Sequence, residues 1–263
     1  MQLICDLSIA EAYRSAAQRA RVISEFWFSQ NCYCLACPSD RLQRSAPNTR
    51  AMDFSCEACG HRYELKTFRK RPTKSLVDGA YSALLAQINS DSAPTLCLLE
   101  RTDSWQIKSM MAIHSSFLTP IVVEQRPPLG LHARRAGWIG CNIRLDRIPI
   151  DGEIAVIRTG VCIPRAEVRA RFRRFLPLSK IPAKQRGWTT LTLSAIRELA
   201  KGDFRLSDLY EREPSFAQIY PGNRHIRAKI RQQLQVLRDL GVLCFDGPGR
   251  YRLLDNRGSG GPS

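Results

Sequence analysis

Four cysteines constrain this chain more than any other feature. Cys34, Cys37, Cys56 and Cys59 read C-x2-C-x18-C-x2-C. Each pair can present two thiolates from one tight turn, and two such turns close a tetrahedral site for a structural zinc ion. The segment from 34 to 59 is therefore expected to fold as a metal-centred knuckle. Cys32 could substitute for Cys34 as a ligand, although the two-residue gap favours Cys34 and Cys37. Ten cysteines occur in all, and the opening Met1-Gln2-Leu3-Ile4-Cys5-Asp6 meets an acid before any apolar stretch develops. That predicts no secretory signal, a reducing compartment, and metal ligation or buried thiols in place of a disulfide framework.

Asp53 stands just before the second cysteine pair, and Glu64-Leu65-Lys66 follows it. In an extended Tyr63-Glu64-Leu65-Lys66 segment, Glu64 and Lys66 share one face. Two carboxylates and a lysine are what phosphodiester hydrolysis needs. The carboxylates can hold Mg2+, which polarises the phosphate and lowers the pKa of a bound water. The lysine can orient that water and stabilise the developing charge. This is the D…(D/E)xK pattern, short enough to arise on an ordinary exposed strand, so other features must support it.

Charge supplies one. Lys and Arg number 40 against 24 Asp and Glu, a formal net charge of +16. Such an excess calls for a polyanionic partner, either nucleic acid or an anionic membrane surface. No apolar run approaches about 18 residues, so no membrane span is expected. A membrane-surface role would need a cationic helix with a broad apolar side, and only the short stretch 165 to 175 approaches one. Its Arg165, Arg169, Arg171, Arg173 and Arg174 read equally as a solvated basic face or a DNA contact.

Hydrophobic spacing organises the rest. Ser8 and Glu11 form a capping-box pattern ahead of a helix predicted over 8 to 28. A second helix is predicted from Ser75, with Asp78 in its first turn, through Tyr81, Leu84, Leu85 and Ile88. Thr95 to Glu100, Ile107 to Ile113 and Val156-Ile157 read as strands, and Pro127-Pro128 opens a loop with Arg134, Arg135 and Trp138. His61, His114 and His132 read as ordinary core or surface residues. Leu176 to Arg186 reads as a linker. Beyond it come helices marked by Leu193, Ile196 and Leu199, and by Ser207, Leu209 and Tyr210. Asn223 is expected to cap a third, whose apolar stripe is Ile226, Ile230, Leu234, Leu237 and Leu240 and which Gly241 stops. Two strands, Val242 to Phe245 and Tyr251 to Leu254, complete the order of a winged helix. Off the apolar stripe lie Arg224, His225, Arg227, Lys229, Arg231, Gln232, Gln233 and Gln235, the side-chain types that read base edges in the major groove. Arg250 and Arg252 on the hairpin suit phosphate contacts.

Three stretches carry a resemblance: Phe54 to Lys66; Ala133-Arg134-Arg135-Ala136-Gly137-Trp138-Ile139-Gly140-Cys141-Asn142-Ile143; and Lys229-Ile230-Arg231-Gln232-Gln233-Leu234-Gln235-Val236-Leu237-Arg238-Asp239. The last two are long, unusual strings. From about residue 5 to 254 the chain resembles the DpnI family of methyl-directed restriction endonucleases. The resemblance implies an α/β, restriction-endonuclease-like PD-(D/E)xK core with an inserted four-cysteine zinc site over 1–182, then an α+β winged-helix domain over 183–256. A disordered Gly-Ser tail is expected at 257–263. The implied activity is that of a bacterial, cytoplasmic type II deoxyribonuclease. It would cut double-stranded DNA at GATC when the adenine is N6-methylated, leave blunt ends and work as a monomer. By position the catalytic set falls on Asp53, Glu64 and Lys66, with Mg2+ held by Asp53, Glu64 and the Leu65 carbonyl. Trp138 would meet the methylated bases. Met52 stands where the motif has Pro, a position that does no chemistry. The rival reading is a non-catalytic, zinc-containing winged-helix regulator or methyl-DNA reader.

Overall fold

The computed structural model describes residues 1–46 and 52–254. The tail expected at 257–263 and the last residues of the winged-helix range lie outside the described residues.

The first part of the chain runs α1 (Ala16–Asn31), β1 (Gln43–Arg44), β2 (Phe54–Ser55), β3 (Arg62–Phe68), β4 (Ser75–Ala80), α2 (Tyr81–Asn89), β5 (Thr95–Arg101), β6 (Ile107–Ile113), β7 (Val123–Gln125), β8 (Gly140–Arg144), β9 (Glu153–Arg158), β10 (Val161–Cys162) and α3 (Arg165–Arg174). A seven-stranded sheet in the order β1-β2-β3-β5-β6-β9-β10 forms the centre, with β3 and β5 parallel and the other neighbours antiparallel. Its middle strand shows why it is central. Leu96 and Leu98 of β5 enter one core, while Cys97 and Leu99 enter the other, and all four are buried. A strand covered on both faces reads as a continuous apolar run, as Thr-Leu-Cys-Leu-Leu does. On one side Ile23, Trp27 and Phe28 of α1 close the core. On the other, a small sheet in the order β4-β8-β7 packs with α2.

Two expected helices differ from the observed ones. Residues 8–10 form only a 3-10 turn, and α1 begins at Ala16. The Ser8 hydroxyl donates to Asp6 Oδ1 at 2.6 Å, so it is not free to cap a helix with Glu11. The segment Ser75–Ala80 is strand, paired antiparallel with β8, and the helix starts only at Tyr81. Leu76 is buried and Val77 is 62 % exposed, the alternation of a strand with one face covered.

The second part runs α4 (Ala183–Glu198), β11 (Asp203–Arg205), α5 (Leu206–Tyr210), α6 (Glu213–Ile219), α7 (Ile226–Asp239), β12 (Leu243–Gly247) and β13 (Arg250–Leu253). The hairpin strands join β11 in the order β11-β13-β12, giving a winged helix with one short helix, α6, more than the apolar spacing announced. The stripe on α7 is as expected: Ile230, Leu234 and Leu237 are fully buried. Each contributes roughly 1.5–3 kcal/mol by removal from water. Gly241 ends the helix at φ 65°, a left-handed turn that a side chain would strain. Asn223 lies outside α7; its Oδ1 accepts the His225 N–H at 2.7 Å in a side-chain turn that leads into the helix.

The segment expected to link the two parts is packed instead. Residues Leu176–Lys180 form a 3-10 turn with Leu178 buried, and α4 starts at Ala183. Arg186 is buried and reaches back to Asp91 at 2.5 Å. Arg197 pairs with Asp151 at 2.6 Å, and the Arg174 guanidinium donates to the Gly241 carbonyl. One apolar core runs without a break from Leu96 and Phe117 to Trp188, Leu193 and Leu234. Among the described residues no helix is long and apolar enough to cross a membrane.

Candidate functional site

The cysteine pairs come together as their spacing requires. The four thiol sulfurs of Cys34, Cys37, Cys56 and Cys59 lie within 4.8 Å of one another, with Cys34–Cys59 at 3.6 Å and Cys37–Cys56 at 3.5 Å. A tetrahedral zinc with Zn–S bonds near 2.3 Å puts its ligands about 3.8 Å apart, and a disulfide would need about 2.05 Å. Burial opposes a charge on Cys56, but the Cys59 backbone N–H and the neighbouring thiols bring it down to about 7. Burial pushes Cys59 and Cys34 up. Four thiolates can coexist here only around a cation, and the group could hold zinc. Cys32 takes no part: it is buried with its sulfur 3.7 Å from Met110 Sδ.

The arginines of α3 explain how the knuckle is held. Arg169 donates to the carbonyls of Cys34, Pro38 and Ser39 at 2.8–3.0 Å and pairs with Asp40. Arg173 donates to the Ala36 carbonyl at 3.1 Å, and Arg165 pairs with Asp40 at 2.9 Å. This basic stretch is in large part a brace on the cysteine loop, neither a purely solvated face nor a free DNA surface.

Strand β3 joins the knuckle to the acidic cluster. Tyr63 points inward; its hydroxyl accepts the Leu35 N–H at 2.9 Å and lies 3.3 Å from Cys34 Sγ. The next residue, Glu64, faces the other way, as does Lys66, and their side chains meet at 2.5 Å. Asp53, immediately before β2, accepts the Leu65 N–H on Oδ2 at 2.8 Å and donates its own N–H to the Tyr63 carbonyl at 3.0 Å. The three motif residues therefore gather on two adjacent strands.

Two further acids, marked by no motif, join the cluster. Asp78 of β4 accepts from Lys66 Nζ at 2.8 Å. Glu25 of α1, buried and paired with Arg21 and Arg44, extends its charge to Asp53. Burial raises the carboxyl pKa of Asp53, with Glu25 adding to it, and burial likewise raises Glu64, with Asp78 and Asp53 adding to it. Burial alone would depress the Lys66 ammonium, but Glu64 and Asp78 hold it well above its ordinary value. Asp53, Glu64, Asp78 and Glu25 against Lys66, Arg21 and Arg44 leave one uncompensated negative charge in a protein of net charge +16. That balance suits a divalent cation with oxygen ligands.

The model of the DpnI, Dam-replacing family matches residues 1–181, and that of the Dam-replacing helix-turn-helix domain matches residues 184–253. The chain belongs to the DpnI family. Membership supports a methyl-directed restriction endonuclease, with a DNA-binding helix-turn-helix domain behind the nuclease part. The cysteine knuckle and the Asp53, Glu64 and Lys66 cluster both lie in the first match.

The surfaces expected to meet DNA in this DpnI-family chain fall in two places. Residues 126–139 form the loop between β7 and β8, tied at its neck by Gly137 and Leu129 and by Leu129 and Trp138 at 2.9 Å. Arg134 and Arg135 are exposed on it, as is Leu131. Trp138 is half-buried: a Cβ added at Gly140 would come within 2.8 Å of the indole Cζ3. Only glycine lets the ring lie flat on the strand there. On α7, Arg227, Arg231, Gln232 and Gln235 are exposed, with Arg224 and His225 just ahead of it and Lys229 at its edge. Arg227 pairs with Glu213 at 2.8 Å, Arg231 donates to the Tyr210 hydroxyl at 2.8 Å, and Lys229 donates to Gln232 at 3.0 Å. Arg250 and Arg252 are exposed on the hairpin, Arg252 beside Asp246. Gln233 is a correction. It is buried, and its Oε1 accepts from Thr189 Oγ1 at 2.7 Å, so it fastens α7 to α4 and faces away from any DNA. His61 and His114 are core residues packed on Phe172, and burial pushes them down to about 4 and about 3.

The raised carboxyls have a measurable consequence. An acid whose pKa is higher in the folded than in the unfolded chain holds its proton more tightly when folded. It therefore adds stability as pH falls from neutral towards its unfolded value near 4 and withholds it at pH 7. Asp53→Asn keeps the bond to the Leu65 N–H and removes the charge. In buffer without Mg2+, its Tm at pH 7 is expected to lie above wild type, the gap closing as pH drops towards 4. A lower Tm at pH 7 would mean that Asp53 is stabilising as an anion.

Proposed function

We propose that the chain is a type II site-specific deoxyribonuclease that hydrolyses both strands of DNA at GATC containing N6-methyladenine, with Mg2+ as cofactor and blunt-ended products. The observation that carries this is the gathering of Asp53, Glu64 and Lys66 in one acidic cluster, within a strongly basic chain of the DpnI family. Asp53, Glu64 and the Leu65 carbonyl would hold the Mg2+, which supplies a polarised phosphate and an activated water. Lys66, restrained between two carboxylates, keeps its ammonium where negative charge builds on the phosphorane. Glu64 sets the position of that ammonium and would also be a ligand to the metal. Binding energy comes from elsewhere: the cations ahead of and along α7, with Arg250 and Arg252, would position the duplex through phosphates and base edges. Digestion of one plasmid in adenine-methylated and unmethylated form, with and without Mg2+, tests the proposal. Cutting of methylated DNA alone, and only with Mg2+, is the expected result. Binding of methylated DNA with no cutting would make the protein a reader.

Methyl reading is assigned to Trp138. An N6-methyl adds apolar surface in the major groove, and an indole face packed on it gains on the order of 1 kcal/mol. Two methyls in a symmetric site would give about 2 kcal/mol, a preference of roughly 30-fold. Trp138→Ala is expected to cut the binding preference for methylated over unmethylated duplex by roughly 5- to 30-fold, leaving a remainder that α7 supplies. Gel-shift titration measures it, and an unchanged preference would clear Trp138 of the role.

A further inference from the structure

We propose that Asp78 is a positioning residue that ties the catalytic lysine to the strand pair carrying the Trp138 loop, so that base reading at the loop is passed to Lys66. This rests on the nuclease reading above. Lys66 belongs to the central sheet and Asp78 to the small one, and the 2.8 Å ion pair between them bridges the two sheets. Both partners are largely enclosed, the Asp78 side chain at 10 % exposure and Lys66 at 23 %, so water does little to loosen the pair.

From Asp78 the connection continues through backbone. Asp78 pairs with Cys141 and Ala80 with Gly140, which leaves Gly79 as an extra residue between them, a β-bulge. Bulges re-aim the side chains beside them, and this one stands next to the carboxylate on Lys66. Cys141 Sγ donates to the Gly79 carbonyl at 3.4 Å, and the Tyr81 N–H donates to the Ile139 carbonyl at 3.1 Å. The bulge is thus stitched to the root of the loop on both sides. At that root Trp138 lies on Gly140, with the Arg126 guanidinium against the same point. A base that pushes or tilts the indole therefore bears on Gly140, which is paired in register with Ala80, two residues from Asp78. The path from methyl-facing ring to catalytic ammonium is one side chain, one strand pair and one ion pair. Residue order alone conceals it, because Asp78 reads as a residue in the first turn of a helix.

The test uses the full-length chain with Asp78→Asn, Asp78→Glu, Trp138→Ala and the Asp78→Asn/Trp138→Ala double variant. Each is assayed for binding and for single-turnover cleavage of methylated and unmethylated GATC duplexes with Mg2+. Asp78→Asn is expected to bind methylated duplex within about threefold of wild type while cutting at least tenfold more slowly at saturating protein. Retained binding shows that the variant is folded, and Asp78→Glu should restore part of the rate. If the signal passes through Asp78, Trp138→Ala should slow cleavage far less in the Asp78→Asn background than in the wild type. Rates that multiply within about twofold, as independent residues would, overturn the transmission. Asp78→Asn cutting within about twofold of wild type overturns the positioning role while leaving the nuclease reading intact. Wild-type protein that cuts no methylated duplex overturns both.

Discussion

Lys66→Ala is expected to lower the single-turnover rate on methylated DNA by at least 100-fold while leaving affinity for that DNA within a few-fold of wild type. The ammonium is held at 2.5 Å from Glu64 and 2.8 Å from Asp78, so it enters the reaction already placed. A preorganised donor aimed at developing charge is typically worth about 2.7–4 kcal/mol, or 10²–10³ in rate. Affinity is a different quantity. It would accumulate over many phosphate contacts from the exposed cations of the loop and of α7, of which Lys66 would contribute at most one. Truncation also leaves Glu64 and Asp78 without their counter-charge, so some loss of Tm should accompany the loss of rate, and retained binding separates the two effects. Cleavage within about tenfold of wild type would remove Lys66 from the mechanism.

Zinc removal should have the largest structural effect. Structural zinc in small Cys-ligated sites contributes about 10–16 kcal/mol in apparent binding energy, as much as the whole stability of an ordinary domain. Here that energy would act directly on the strands that carry Asp53, Glu64 and Lys66. Tyr63 bonds to Leu35 and touches Cys34, Glu64 follows it, and Asp53 donates its N–H to the Tyr63 carbonyl. Unravelling the knuckle therefore releases both motif carboxylates. Strong chelation, or Cys56→Ser, is expected to abolish cleavage, lower Tm by more than about 10 °C and open the amides of 54–66 to hydrogen exchange. Full activity in protein that holds no zinc, measured by metal analysis, would refute a structural metal.

The parts of this molecule that are legible in its sequence are those whose logic is local. The cysteine spacing is a statement about two turns, and the Glu64 and Lys66 pairing a statement about one strand; both are observed as read. The stripe on α7 is equally plain, because a 3.6-residue period buries whatever lies on it. Asp78 misleads because Ser75 and Asp78 mimic a helix start, although Gly79 just before the apolar run is a poor first-turn residue and is the available warning. Glu25 looks like one more acid on a surface helix; only the fold turns it towards Asp53. The α3 arginines resemble a solvated charge run because their partners are main-chain carbonyls of the knuckle, and residue order carries no sign of where those will point. Gln233 matches its neighbours by type, yet it lies on the inward side of the helix beside Leu234.

The unbroken core from Leu96 to Leu234, with Arg186 and Arg197 fastened across the junction, fixes the distance between the acidic cluster and α7. A nuclease of the proposed kind, built this way, would carry its two DNA-facing surfaces like the jaws of a set caliper. With one surface seated, the other would be confined to a short stretch of the contour. The second contact then gains a high effective concentration only on DNA that presents a site at that interval. On the proposed nuclease reading, spacing between methylated sites would become a quantity that the protein measures, and cleavage of closely paired sites should differ from cleavage of the same sites placed far apart.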